Sequence, residues 1–305
     1  MTNEKKDKAE KNITEKGVLY LVATPIGNLA DFSERALKVL SEVDFIAAED
    51  TRNAVKLLNL LNIKKPLTSY FEHNKRERGL YITEKILNNE SCALITDAGT
   101  PAISDPGEDL VKLCHEKKIK VISVPGACAA ICALSVSGLY TGRFVFEGFL
   151  SVSKSKRLEH LQSLENEQRT LIFYEAPHKL RRTLADMLNI FGDRKITLCR
   201  ELTKINEEII VMTLKRAVEF YGVDKSSKNV PIGEFVLVIE GKPKAEAELE
   251  KSESFANMSC TEHIQIYIDN GLSKMDAIKK AANDRNIPKG KFYKALLEET
   301  DNMSK

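Results

Sequence analysis

Along the first part of the chain, short apolar runs alternate with stretches of helical spacing. The runs cover 19–23, 44–48, 92–96 and 120–124; the stretches at 32–40, 54–61 and 80–87 repeat apolar residues every three or four positions. This alternation predicts βαβ units and a mostly parallel sheet. From about residue 126 the pattern changes. A helix over 127–136 precedes a strand over 144–149, a basic helix, a strand over 170–174 and a helix over 177–190. Strands over 195–200, 208–214 and 233–240 follow with fewer helices between them, which predicts a mixed sheet. The expected organisation is a tail (1–16), an N-terminal α/β domain (17–125), a second α/β domain (126–242) hinged near Pro125-Gly126, and a charged linker (243–258). A small helical module (259–305) closes the chain, with helices over 261–269, 274–283 and 289–298 punctuated by Gly271 and Pro288.

Each strand of the first half stops abruptly at specialised residues. The run 19–23 ends in Thr24-Pro25-Ile26-Gly27-Asn28, where Pro25 fixes its φ and extends Thr24, and Gly27 permits close approach. The run 44–48 meets Glu49-Asp50-Thr51-Arg52. The run 92–96 meets Asp97-Ala98-Gly99-Thr100-Pro101, within a loop that reaches Ser104-Asp105-Pro106-Gly107. The run 120–124 meets Pro125-Gly126-Ala127, and 170–174 meets Glu175-Ala176-Pro177-His178. One such loop is ordinary in any α/β protein. Several, dense in Gly, Pro and polar side chains, predict a shared ligand rim at the carboxyl edge of a sheet. Neither GxGxxG nor a Walker loop is present, so a phosphate-cradling nucleotide site is not indicated.

Charge narrows the partners. The 46 Lys and Arg nearly balance 44 Asp and Glu, so nucleic-acid binding has to come from local patches. Three patches qualify: Lys154, Lys156, Arg157 and His160; Lys179, Arg181 and Arg182; and Lys274, Lys279, Lys280, Arg285, Lys289, Lys291 and Lys294. A solvated helix face is the plain reading of each, and three together point toward a polyanion such as RNA. The six cysteines form no CxxC pair and have no His at zinc spacing, which fits a reducing cytoplasm and no metal. No membrane span or signal peptide is read, and the highly charged stretch 1–16 is expected to be disordered.

Glu49 at a strand end reads as a site acid, and Asp50 either as a site acid or as a helix N-cap paired with Arg52. His73, in a polar loop after a short strand, is a candidate base or RNA contact.

Taken together, LVATPIGNLAD (21–31), AAEDTR (47–52), DAGTPAISDPG (97–107), VPGACAA (124–130), RTLIFYEAPHKL (169–180) and GEFVLVIEG (233–241) resemble the tetrapyrrole-methylase superfamily of S-adenosylmethionine enzymes. Within it they resemble the branch that 2'-O-methylates cytidine 1402 of 16S rRNA in the 30S subunit. The resemblance covers about 19–241 and continues more weakly through the last module. Ser151 and Pro231-Ile232 depart from it, where the family often has Pro and Lys. It implies a homodimer of tetrapyrrole-methylase-like α/β subunits, with S-adenosylmethionine bound in the cleft between their two domains. By position the donor would meet Pro25, Ile26, Gly27, Asp97, Ala98, Gly99, Thr100, Asp105, Pro125, Gly126 and Ala127. The base for the ribose hydroxyl stays open among Glu49, Asp50, His73, Glu175 and His178, with Arg52, Arg200 and Lys204 available to phosphate. Two other readings share the fold: a methylase of a corrin or porphyrin precursor, and a non-catalytic RNA-binding assembly factor.

Overall fold

Two five-stranded sheets, each made by one stretch of chain, carry the molecule, and a three-helix module follows them. The computed structural model describes residues 13–222, 229–255 and 258–303. Of the tail expected over 1–16, residues 1–12 lie outside the described residues. Glu15 reaches Lys120 at 2.6 Å and Lys16 pairs with Asp44.

The first unit runs β1 (Val18–Val22), α1 (Glu34–Glu42), β2 (Phe45–Ala48), α2 (Thr51–Leu60), β3 (Leu67–Ser69), α3 (Lys75–Leu87), β4 (Cys92–Ile95), α4 (Glu108–Glu116) and β5 (Lys120–Val124). Its sheet is wholly parallel, in the order β3-β2-β4-β1-β5. A parallel sheet is covered on both faces, so its strands are apolar on both. Tyr20, Ile46 and Ile95 pack with Leu40 and Leu58 on one face; Leu19, Phe45 and Leu94 pack with Ile82, Ile86 and Leu110 on the other. β1 lies between β4 and β5, and the chain leaves it toward β2 but leaves β4 toward β5. The connections diverge above the ends of β1 and β4, and such a switch point opens a crevice.

The second unit runs α5 (Ala129–Val136), β6 (Phe144–Phe149), α6 (Lys154–Ser163), β7 (Thr170–Glu175), α7 (Pro177–Phe191), β8 (Lys195–Arg200), β9 (Glu208–Thr213), α8 (Leu214–Tyr221) and β10 (Phe235–Ile239). The sheet order is β6-β7-β10-β8-β9, mixed as the pattern predicts: β6 and β7 are parallel, while β10 runs antiparallel to both neighbours. Leu180, Leu184 and Met187 of α7 cover one face, and Ala130, Ala133 and Leu134 of α5 cover the other.

The stretch 243–258, expected as a linker, contains α9 (Lys244–Ser254). Its charge suggests a linker, but Ala, Glu and Lys are also strong helix formers. The last module is α10 (Cys260–Asp269), α11 (Lys274–Asp284) and α12 (Lys289–Met303), packed around Ile264, Ile278, Phe292 and Leu296. No helix among the described residues is long and apolar enough to cross a membrane.

Candidate active site

The loops after β1, β4 and β5 are tied to one another. Thr24 and Gly99 exchange both backbone hydrogen bonds, N to O at 2.9 and 3.1 Å, and the Thr24 hydroxyl donates to the Thr96 carbonyl at 3.2 Å. The Thr100 hydroxyl donates to the Ala127 carbonyl at 3.0 Å. The second unit closes on this platform at Gly27, where a Cβ would lie 2.4 Å from Cγ of Lys204; only glycine permits that approach. In the loop over 97–107, Gly99 has φ +82° and the non-glycine residues Ala102 and Ser104 have φ +67° and +61°. Left-handed backbone at residues with a Cβ is strained and persists where the surroundings enforce it, a recurrent feature of binding loops.

Two adjoining cavities open here. The first, of about 380 Å³, is lined by Pro25, Ile26, Gly27 and Leu29 after β1, by Asn53, Ala54 and Leu57 of α2, and by Lys204. The second, of about 500 Å³, lies between the two units. Gly99, Thr100, Ile103 and Asp105 line it from the first unit; Cys128, Ala129, Phe149, Tyr174 and Phe235 line it from the second. Ile26, Asp97, Ala98 and Glu234 line both.

The second cavity is electrostatically one-sided. Glu49, Asp97 and Asp105 line it, and among the described residues no Lys, Arg or His does. Burial raises the Glu49 carboxyl above its usual range, and the neighbouring Asp97 and Asp50 add to the effect. Burial, then Glu49 and Asp97, push Asp105 up to about 7. Carboxylates crowded without a cation resist ionisation, so the cavity suits a ligand that brings positive charge. Its aromatic wall is fixed by Tyr174, which meets Phe146 and Phe149 edge-on with centroids 4.9 and 5.4 Å apart and whose hydroxyl accepts from Ala130 N. A sulfonium nucleoside such as S-adenosylmethionine fits this lining: apolar surface for its base, close approach to the small residues Ala98 and Gly99, and carboxylates for its cationic sulfur.

The remaining candidates separate. Asp50 caps α2 by accepting from Arg52 N at 2.8 Å and pairs with the exposed Arg52 side chain at 2.7 Å, so its oxygens are engaged locally. Glu175 lines the second cavity, but its carboxylate is 1 % exposed; it accepts from Ala176 N, pairs with Lys179 at 2.8 Å and accepts from the Thr183 hydroxyl at 2.5 Å. It secures the turn from β7 into α7. His73 and His178 are exposed and line neither cavity. Pro125, Gly126 and Ala127 also stand behind the lining. Pro125 accepts from the Ser33 hydroxyl and Ala127 from Thr100, while Cys128 and Ala129 reach the cavity.

Of the basic candidates, Lys154, Lys156, Arg182, Lys289 and Lys291 are exposed. Arg181 donates to the Asn229 carbonyl, and Lys204 is held by Glu201 at 2.9 Å and Glu234 at 3.0 Å. Arg157 is not available to RNA: its guanidinium is 4 % exposed, pairs with Asp186 at 2.7 Å and donates to the carbonyls of Ser151 and Val152. Arg157→Ala strands Asp186 beside the core and costs about 3 kcal/mol of stability. Urea unfolding checks this, and an unchanged midpoint would contradict it.

Reading the chain alone missed Asn53, Leu57, Tyr174 and Glu234. Tyr174 and Glu234 lie within the resembling motifs and Asn53 directly follows one, but side-chain direction decides who faces the crevice. Among the described residues no group of three or more His, Cys, Asp or Glu is placed to hold a metal.

Known proteins resemble this chain. Residues 18–218 match the family model for Tetrapyrrole (Corrin/Porphyrin) Methylases. The chain is 44 % identical over 283 residues to a Synechocystis sp. protein called ribosomal RNA small subunit methyltransferase I, covering 92 % of this chain and 98 % of that one. It is 46 % identical over 287 residues to the protein of that name from Halalkalibacterium halodurans, covering 93 % and 96 %. Among solved structures, diphthine synthase superposes with a TM-score of 0.55 at 14 % identity, covering 76 % of this chain and 93 % of that one. Uroporphyrin-III C-methyltransferase from Thermus thermophilus, complexed with S-adenosylhomocysteine, gives 0.51 at 16 %, covering 73 % and 97 %. These distant likenesses establish the fold; the close relatives establish the branch. The chain belongs to the tetrapyrrole methylase family, in the group of ribosomal RNA small subunit methyltransferases I.

Proposed function

We propose that this chain methylates small-subunit ribosomal RNA from S-adenosylmethionine, and that the acceptor is the 2'-hydroxyl of a cytidine in the decoding region of 16S rRNA. The observation that carries the reading is the interdomain cavity lined by carboxylates and, among the described residues, by no cation. The near-full-length relatives, named for methylating small-subunit rRNA, support the substrate class.

When bound, S-adenosylmethionine supplies an electrophilic methyl carbon on a cationic sulfur. Gly99 and Thr100 form a floor that the donor can approach closely, the Tyr174–Phe149 wall offers apolar surface, and Glu49, Asp97 and Asp105 balance its charge. Asp97, on the wall shared by both cavities, accepts the proton of the attacking hydroxyl; its Oδ2 is already oriented by the Asn53 amide at 2.8 Å. Transfer then depends on holding acceptor oxygen and methyl carbon in line and on moving that proton. The exposed cations Lys154, Lys156, Arg182, Lys289 and Lys291 lie free for the RNA backbone. The free edge of β9, with exposed Ile209 and Val211, is a surface that a second copy of the chain would cover. A reducing cytoplasm agrees with its free cysteines.

A pH dependence follows from Asp105. As pH rises through about 7 the carboxyl loses its proton and adds negative charge to the donor cavity. Affinity for S-adenosylmethionine, relative to the sulfur-neutral S-adenosylhomocysteine, rises about tenfold from pH 6 to pH 8. Calorimetric titration of both ligands checks this, and a constant ratio contradicts the placement of the sulfonium. Stability moves the other way. Because folding raises this carboxyl's pKa, the stability tied to its protonated form is complete below the unfolded value and is lost as pH rises through about 7. Asp105→Asn therefore gains about 1 kcal/mol at pH 8, after allowance for the open side of the cavity.

A further inference from the structure

Three elements that reach the donor cavity also reach a groove at the far end of the second sheet. Ala129 of α5, Glu175 of β7 and Phe235 of β10 line the donor cavity. Val136 of α5, Thr170 of β7 and Glu240, just after β10, line a groove of about 1090 Å³. Thr170 and Glu175 are the two ends of one strand. At about 3.3 Å per residue, the groove and the donor cavity lie about 17 Å apart.

The groove is the electrostatic opposite of the donor cavity. Arg143, Arg169, Lys195, Lys242 and Lys244 line it, against Glu167 and Glu240. The acids are engaged locally. Glu167 holds Arg169 through hydrogen bonds of 2.9 and 2.6 Å, which keep its carboxyl down at about 2, and Glu240 stands 3.7 Å from Lys195. The buried Lys242 donates to the Asn166 amide oxygen at 2.9 Å. Arg143 and Lys244 are exposed, and among the described residues neither forms an ion pair.

These cations stand in a row. The sheet order here is β6-β7-β10-β8, and β10 runs antiparallel to β7 and β8, so its carboxyl end lies beside their amino ends. Arg143 precedes β6, Arg169 precedes β7, Lys242 and Lys244 follow β10, and Lys195 opens β8. Each of four adjacent strand ends therefore carries a cation, and neighbouring strands are about 4.8 Å apart. A compact anion calls for cations that converge. A row suits a chain with one negative charge per nucleotide. The groove also exceeds the range of about 300–1,000 Å³ for small-ligand pockets, and the exposed ring of Tyr140 on its wall offers a face for stacking a base.

We propose that this groove binds a single-stranded stretch of the RNA, with phosphates along the row from Arg143 to Lys195 and a base on Tyr140. The enzyme then grips its substrate about 17 Å from the reacting nucleotide. The inference rests on the proposed RNA methylation. Val211 of β9 forms one rim, at the edge that a second copy would cover; the row itself lies on the other four strands.

The test uses the full chain and 30S subunits that lack the modification, with binding measured by filter retention over a range of salt. Arg143→Glu combined with Lys244→Glu weakens binding at least about tenfold near 0.1 M salt, and lowers the slope of log affinity against log salt by about 0.7 for each lost contact to single-stranded RNA. KM for the subunits rises, while affinity for S-adenosylmethionine stays as it was and shows that the fold is intact. Arg143→Lys, which keeps the charge, keeps most of the affinity. Tyr140→Ala weakens binding without changing the slope. Reversing Lys64 and Lys65, which precede β3 in the first unit, alters net charge equally and leaves binding near wild type. A double variant with wild-type affinity and slope overturns the proposal. An equal loss on reversing Lys64 and Lys65 overturns it too, since net charge alone would then explain the effect. A double variant that dissociates into single chains, each binding RNA as before, makes the groove an interface between copies and also overturns it. A wild type that binds the donor but retains no 30S subunits overturns the RNA reading itself, a result distinct from these.

Discussion

Asp97→Asn lowers kcat about 10²–10⁴-fold, the usual contribution of a positioned proton acceptor, while S-adenosylmethionine binding weakens by no more than about tenfold. The asymmetry follows from where Asp97 sits. It is not the sole carboxylate lining the donor cavity, so Glu49 and Asp105 still meet the sulfonium after its removal. It is also the carboxylate on the shared wall that Asn53 orients, and neither Glu49 nor Asp105 lines the first cavity. Single-turnover methyl transfer, with donor affinity measured separately, distinguishes the two effects. An Asp97→Asn protein with unimpaired transfer would move the proton to Glu49 or leave positioning as the dominant contribution.

Gly99→Val removes donor binding, with a loss of at least about a hundredfold, and it does so through the backbone. Gly99 has φ +82°, and a Cβ there would lie 3.4 Å from Cγ2 of Ile26, a residue lining both cavities. A β-branched side chain at such a φ costs on the order of 1–3 kcal/mol and pulls apart the paired hydrogen bonds between Thr24 and Gly99. The floor of the donor cavity is then displaced. Calorimetry shows the lost affinity, and circular dichroism shows whether the fold survives; full affinity in a folded Gly99→Val protein would place the donor elsewhere.

Much of the architecture is readable from the chain because parallel strands are apolar on both faces and end at Gly, Pro and acidic residues. β8 over 195–200 falls where the pattern puts it, and the mixed second sheet follows from strands with few helices between them. The site is readable in part. Ile26, Asp97, Ala98, Gly99 and Thr100 are recognisable as rim residues by their loops, and they line the cavities. Partnership is what a linear pattern hides. Arg157 stands in a basic run, yet it is buried on Asp186, 29 positions away. Glu175 sits in the resembling motif FYEAPH, yet Lys179 and Thr183 hold it. The raised pKa of Asp105 comes first from burial and then from Glu49 and Asp97, brought beside it only when the ends of β2 and β4 are neighbours in the sheet. Composition similarly conceals α9, where helix formers carry no apolar stripe.

The most direct test of the account is methyl transfer from labelled S-adenosylmethionine to 30S subunits that lack the modification, with the product mapped by a reverse-transcription stop sensitive to 2'-O-methylation. The account predicts one donor-dependent stop, at a cytidine in the decoding region, absent with Asp97→Asn. Donor binding without label in the RNA, or label spread over many nucleotides, would contradict it.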